Sequence, residues 1–294
     1  MLPLHRSPCG VDEVERHNQK LMQFRTIVKV DQPSFQIPPF ERMLFVGSCF
    51  ADSMGRRFVE DKFRVTVNPY GVMYNPASIL HTVERTDVSP NVAVFTLGTN
   101  HVYILKETGE IVDNCQKRPQ RLFREAELSV EECAAYLSRA VECLVKRNDK
   151  VRVILTVSPI RYAKYGFHGS QLSKATLLLA THQLEERYPG VVTYFPAYEI
   201  VNDELRDYRF YKEDMLHPSD QAVAYIWERF SDAFFSHEAK LFLVDWQPVK
   251  AALAHRPFHP DGDAYQSFIR QTQERIKELE NKWGVNLTNQ ASHR

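Results

Sequence analysis

Short runs of uninterrupted apolar residues, each closed by a turn and separated by helical patterning, limit this chain to few architectures. Met43-Leu44-Phe45-Val46 is closed by Gly47-Ser48, Val92 to Leu97 by Gly98, and Val151 to Val157 by Ser158-Pro159. A strand that is apolar at every position is buried on both faces, as in a parallel sheet covered by helices. Phe63 to Val67, stopped by Asn68-Pro69-Tyr70-Gly71, and Val191 to Phe195 read as further strands. Between them lie helical patterns. Phe50, Met54 and Phe58 recur every four residues. Residues 129–147 carry Val130, Cys133, Ala134, Leu137, Val141, Leu144 and Val145 at helical spacing, opened by a Ser129/Glu132 capping box. Residues 171–187 and 219–235 read as helices, the latter with Val223, Ile226, Trp227, Phe230 and Phe234 on one stripe. Strands alternating with helices require crossover connections, hence an α/β fold with a mainly parallel central sheet.

Three segments depart from this rhythm. Val102 to Leu105 and Ile111-Val112 flank Glu107-Thr108-Gly109-Glu110 and predict a hairpin. Residues 1–21 read as an N-terminal extension, followed by a strand-like run from Phe24 to Val30; Met22 as the start of the chain and an ordinary helix over Val11 to Phe24 are the two readings. The main domain then spans 22–240. From 241 to 294 the chain holds a proline-punctuated linker, His255 to Pro260, and an amphipathic helix over 263–284 that packs on the domain or on a partner.

Composition excludes several function classes. Lys plus Arg and Asp plus Glu both number 37, which gives no general attraction to nucleic acid or an anionic membrane. No run approaches the roughly 20 apolar residues of a spanning helix, and the N-terminus lacks the apolar stretch of a secretory signal. The five cysteines form no CxxC pair or zinc-spaced cluster, so reduced thiols, a cytoplasmic setting, no metal and no cofactor are expected.

Three elements carry chemistry. Ser48 follows a buried parallel strand at the sheet edge where α/β proteins bind ligands, and a helix N-terminus points its N–H groups at the same place. It is either a nucleophile or a helix cap. Its neighbour Cys49 is expected to turn into the core. Asp214-Met215-Leu216-His217 places a carboxylate and an imidazole one turn apart, able to act as a base and its orienting partner or simply as a cap and a loop histidine. Gly71 permits close backbone approach, and Asn100, after Gly98-Thr99, can offer an amide to an oxyanion; both also suit turns.

That order, with the string Gly47-Ser48-Cys49-Phe50-Ala51, resembles the GSCFA domain family, grouped with the SGNH (GDSL-like) hydrolases. The resemblance spans about residues 24 to 260. It includes Asn68 to Pro76, Thr96 to Thr99, Asn114-Cys115, Ser158 to Arg161, Gly169 to Ala175, Tyr194 to Glu199 and Asp207 to Ser219. It implies a flavodoxin-like three-layer fold without metal, with Ser48 as nucleophile, Asp214 and His217 completing a triad, and Ser48 and Gly71 supplying oxyanion N–H groups. Asn100 would be the further donor. The family pattern carries a small apolar residue and then Trp where this chain has Asn100-His101, so Asn75 and Asn114 stand as rivals. Tyr165 to Gly169 resembles a loop near the family's site, which makes His168 a candidate substrate contact. The expected function is a serine esterase acting on acyl esters, small-molecule or O-acetylated carbohydrate. The alternatives are an O-acyltransferase with the same triad and a non-catalytic carbohydrate-binding or scaffold protein.

Overall fold

Along β1 (Arg42–Gly47), Leu44 and Val46 face one apolar cluster while Met43 and Phe45 face another. The same alternation runs through β3 (Val92–Leu97) and β7 (Arg152–Val157), where Phe95 and Leu155 join the first cluster and Val94 and Ile154 the second. A sheet with apolar side chains on both faces must carry helices on both, and it does. The computed structural model describes residues 24–113, 118–257 and 262–288. One layer comprises α2 (Pro76–Arg85), α3 (Val130–Arg147) and α4 (Gly166–Arg187); the other contains α1 (Cys49–Glu60) and α5 (Asp220–Phe234). The expected capping box at Ser129 and Glu132 is present.

The central sheet is wholly parallel, with β2 (Arg64–Val67) on one edge and β8 (Val192–Tyr194) on the other, in the order β2-β1-β3-β7-β8. Counting its own strands, this is the flavodoxin-like 2-1-3-4-5 order, whose direction reverses between β1 and β3. The carboxyl ends of those two strands, Gly47-Ser48 and Leu97-Gly98, therefore open onto the crevice where such folds bind ligands. The fold class expected from the sequence is the one observed.

The hairpin of β4 (His101–Leu105) and β5 (Ile111–Val112) forms as predicted, Tyr103 pairing with Val112. It acquires a third strand, β6 (Phe123–Glu127), which the polar string Phe-Arg-Glu-Ala-Glu gives no reason to expect. The run from Phe24 to Val30 is not a strand. Its backbone is engaged by side chains instead: Val28 N–H donates to Glu204 Oε2 at 3.1 Å, and Arg229 Nη2 donates to Val28 O at 2.5 Å. Residues 1–21 lie outside the described residues.

A helix that the sequence pattern does not announce, α6 (His237–Ala254), follows α5 and contains Pro248. The expected boundary at 240 falls inside it. Phe242, Trp246 and Val249 of α6 pack against Ile276 and Leu279 of the C-terminal helix α7 (Asp263–Trp283), so that amphipathic stripe is covered by the chain itself. Among the described residues, no helix is long and apolar enough to cross a membrane.

Gly47 is the most closely enclosed of the described glycines. Its φ is +150°, and a Cβ there would lie 2.3 Å from Thr96 O and 2.5 Å from Thr96 Oγ1. Gly47→Ala forces β1 away from β3 directly before Ser48. Overpacking with backbone strain predicts a loss of about 2–4 kcal/mol, measured as a lowered urea midpoint.

Candidate active site

Ser48 directly follows β1 and caps α1. Its Oγ accepts from Phe50 N–H at 3.2 Å and lies 3.1 Å from Thr96 Oγ1. Two glycine-flanked strand ends are thus tied together at the residue the sequence singles out. The turn is fixed from below by Asn68, whose Oδ1 accepts from Gly47 N–H at 2.8 Å and whose Nδ2 donates to Asp52 at 2.6 Å. The sequence marks Asn68 only as a turn residue; its buried amide and its φ of +40° are tertiary features.

The second element comes from the loop before α5. Lys212 N–H donates to His217 O at 2.8 Å and Ser219 N–H to Phe210 O at 2.7 Å, closing a tight hairpin-like loop. Within it, Asp214 Oδ1 accepts from the N–H groups of Leu216 and His217 at 2.8 and 2.9 Å, while Oδ2 meets His217 Nδ1 at 2.6 Å. The two backbone donors, with the imidazole bond next, hold the Asp214 carboxyl down to about 2. Met215, between the partners, adopts a φ of +58°, a left-handed conformation unusual for a side chain of its size. Arg161 braces the loop: its backbone N–H donates to Leu216 O and its Nη1 to Met215 O, each at 3.0 Å.

These elements meet. Ser48 and His217 line one pocket of about 240 Å³, whose other walls include Cys49, Tyr74, Gly98, Arg161, Tyr162 and Lys164. No direct hydrogen bond joins Ser48 Oγ to His217; the hydroxyl is turned to Thr96. Cys49 is half-buried at the pocket wall with its Sγ 3.9 Å from the Tyr74 hydroxyl, so it does not turn into the core as expected.

The expected oxyanion donors are otherwise engaged. Ser48 N–H donates to Thr96 O and Oγ1, both at 3.0 Å. Gly71 N–H closes a turn on Asn68 O at 2.8 Å, and Gly71 does not line the pocket. Asn100 is buried with its Nδ2 on Leu128 O at 2.8 Å, joining β4 to the segment before α3, and it too is off the pocket wall. Asn75 caps α2 through its Oδ1, which accepts from Ser78 N–H at 3.0 Å; that bond leaves its Nδ2 unused, but Asn75 is not on the pocket wall. Asn114 lies outside the described residues. His168 is exposed on the first turn of α4 and is not brought to the pocket. Among the described residues no cluster of side chains suits a metal ion.

The remaining wall is not legible in the sequence. His101 stacks on Tyr165 with ring centroids 3.6 Å apart, Tyr165 on Tyr162 at 5.7 Å, and Tyr162 leans toward Tyr74 at 6.1 Å. Glu125 of β6 accepts from Lys164 Nζ at 2.6 Å and from the Tyr165 hydroxyl at 2.8 Å, so the three-stranded sheet buttresses this side of the site.

Beneath the strand ends, Lys174 of α4 is fully buried and donates to Gly98 O at 2.6 Å and Ser158 O at 2.8 Å. Burial pulls its ammonium down to about 7 from 10.5. Between those two values the unfolded chain holds a proton that the folded chain lacks, so stability rises with pH across that window. The urea midpoint is expected to increase from pH 7 to 9, and to increase less in Lys174→Met.

No functionally curated protein matches the chain. Among solved structures it is similar to a catalytic variant of an acetylxylan esterase from Geobacillus stearothermophilus (15% identity, 69% of this chain and 98% of that one, TM-score 0.44). It is also similar to a carbohydrate esterase family 3 protein from Talaromyces cellulolyticus (8%, 69% and 96%, TM-score 0.39). A third is a member of the lipolytic protein G-D-S-L family from Veillonella parvula (14%, 65% and 97%, TM-score 0.42). The profile of the GSCFA family matches residues 42–92 and 86–230, and that of the GSCFA C-terminal domain residues 246–293; the chain belongs to the GSCFA family.

Proposed function

We propose that this protein is a serine esterase of the SGNH type, acting on acyl esters through Ser48, His217 and Asp214. The observation that carries the reading is the shared pocket: a hydroxyl at the switch point of the sheet and an imidazole ordered by a carboxylate line one cavity. Ser is a weak nucleophile until a base takes its proton. In the proposed cycle the Ser48 hydroxyl turns from Thr96 toward His217, gives up its proton to Nε2 and attacks the acyl carbonyl. The Asp214 carboxylate holds the proton on Nδ1 and balances the imidazolium. His217 then protonates the departing alkoxide, and water attacks the acyl-enzyme by the reverse sequence.

With the Ser48, Gly71 and Asn100 donors engaged and Asn75 off the pocket wall, the oxyanion falls to the first turn of α1. A helix start leaves its first N–H groups without intrahelical acceptors. Those of Phe50 and Ala51 are taken by Ser48 Oγ and O, which leaves the N–H of Cys49, a residue of the pocket wall. It supplies the donor, aided by the helix dipole. An acetyl ester, including one on a sugar hydroxyl, fits this chemistry.

The test is acetate release from 4-nitrophenyl acetate and from an acetylated xylo-oligosaccharide. Turnover of at least one, with acetate as product, supports the reading. Acetyl transfer to an added sugar in place of acetate release would make the protein an acyltransferase. No turnover of either, in folded protein, would remove the esterase reading.

A further inference from the structure

Among the walls of the Ser48/His217 pocket, two side chains are cationic and none is a carboxylate. The two cations differ. Lys164 is neutralised by Glu125, 2.6 Å from its Nζ. Arg161 forms no ion pair with a described residue. One of its five N–H donors goes to Met215 O at 3.0 Å, and its guanidinium lies over the Phe167 ring at 4.1 Å and near Tyr211 at 5.5 Å. Two aromatic rings and one carbonyl thus fix the plane of a half-buried fork that is left without an anion.

A guanidinium serves as a brace without needing a pocket wall, and a neutral side chain could reach Met215 O equally well. An ordered, charge-unbalanced guanidinium beside a nucleophile matches the planar geometry of a carboxylate or phosphate, which it can bind through paired N–H bonds. We infer that Arg161 receives an oxyanion of the substrate, so that the site selects acyl esters bearing a carboxylate or phosphate near the scissile bond. This rests on the esterase reading and narrows its substrate class. Arg161 joins that recognition to the chemistry, because the same side chain holds the loop carrying His217.

The experiment compares 3-acetoxybenzoate, 3-acetoxyphenyl phosphate and the uncharged 3-acetoxybenzamide, whose acyl groups are identical. The wild type is expected to favour at least one anionic ester in kcat/KM by roughly 10- to 100-fold, the range of a charge-assisted contact. In Arg161→Gln that preference falls toward one, through KM for the anionic ester, while Arg161→Lys keeps part of it. A loosened His217 loop slows all three esters alike and cancels in the ratio. On the wild type alone, benzoate is expected to inhibit competitively at concentrations where benzamide does not. Which anionic ester is preferred separates carboxylate from phosphate. Equal turnover of charged and neutral esters, or a preference unchanged in Arg161→Gln, would overturn the inference and leave the Ser48 reading standing. Failure to cleave any of the three would instead count against the esterase reading.

Discussion

Ser48→Ala is expected to lower kcat/KM for an acyl ester by roughly 10⁴- to 10⁶-fold, as when one member of a catalytic unit is removed, with the fold intact. Ser48 has two structural duties that have to be separated from this. It caps α1, and its Oγ contacts Thr96. Losing a serine cap costs about 1 kcal/mol, which lowers a melting midpoint by a few degrees in a protein of this size. The Thr96 contact is a neutral hydrogen bond worth about 1 kcal/mol. Neither reaches the effect expected on turnover. Ser48→Gly separates the two roles directly: glycine is a tolerated cap that keeps most of the helix start's stability and fits the buried position, but turnover stays lost because it has no hydroxyl to attack. If Ser48→Gly and Ser48→Ala retained wild-type turnover, Ser48 would be a helix cap and nothing more.

The second large effect is expected from Asp214→Asn, a loss of roughly 10³- to 10⁴-fold in kcat. The carboxylate accepts three hydrogen bonds, two from backbone N–H groups and one from His217 Nδ1. An asparagine can keep the backbone bonds through its Oδ1. Its NH₂ would then face Nδ1 and leave the ring proton on Nε2, so the imidazole could no longer take the Ser48 proton. The loop should therefore survive while the chemistry fails. Asp214 titrates near 2, depressed from 3.8. A depressed carboxylate contributes to folding above its unfolded value and loses that contribution as pH falls toward its folded one. Any loss of activity on acidification between pH 7 and 4 is thus assigned to groups other than Asp214. The check is the pH profile of kcat/KM in both proteins: a wild-type limb with retained activity at high pH, and an Asp214→Asn profile lowered throughout.

The parts of the fold that are legible in the sequence are those where one physical cause dominates. β1, β3 and β7 are apolar in nearly all positions because both their faces are buried, and few environments besides a covered sheet produce that pattern. The Asp214–His217 pair is visible because three residues of separation suffice for contact. Other parts are hidden for identifiable reasons. Pro248 interrupts the pattern of α6, although a helix can retain a proline when tertiary packing holds both halves. Phe24 to Val30 has the composition of a strand but pairs with no strand among the described residues; Glu204 and Arg229 bond the Val28 backbone instead. β6 forms from charged residues because β4 offers an edge to it. Oxyanion donors are the least legible, since a sequence does not say which carbonyl an N–H already serves. The N–H groups of Gly71 and Ser48 and the amide of Asn100 are engaged in turns and cross-links. Arg161, Tyr162 and Tyr74 reach the pocket only because the ends of β7 and of the β2–α2 turn converge there, a consequence of strand order and not of local pattern.

Cys49 lies on the same pocket wall as Ser48 and carries a thiol with nucleophilic chemistry of its own. The most direct test of the account is therefore intact-mass and peptide mapping after treatment with a fluorophosphonate. A single adduct on Ser48 in the wild type and in Cys49→Ala, absent from Ser48→Ala, is the predicted result. An adduct that persists in Ser48→Ala, or that maps to another residue, would contradict it.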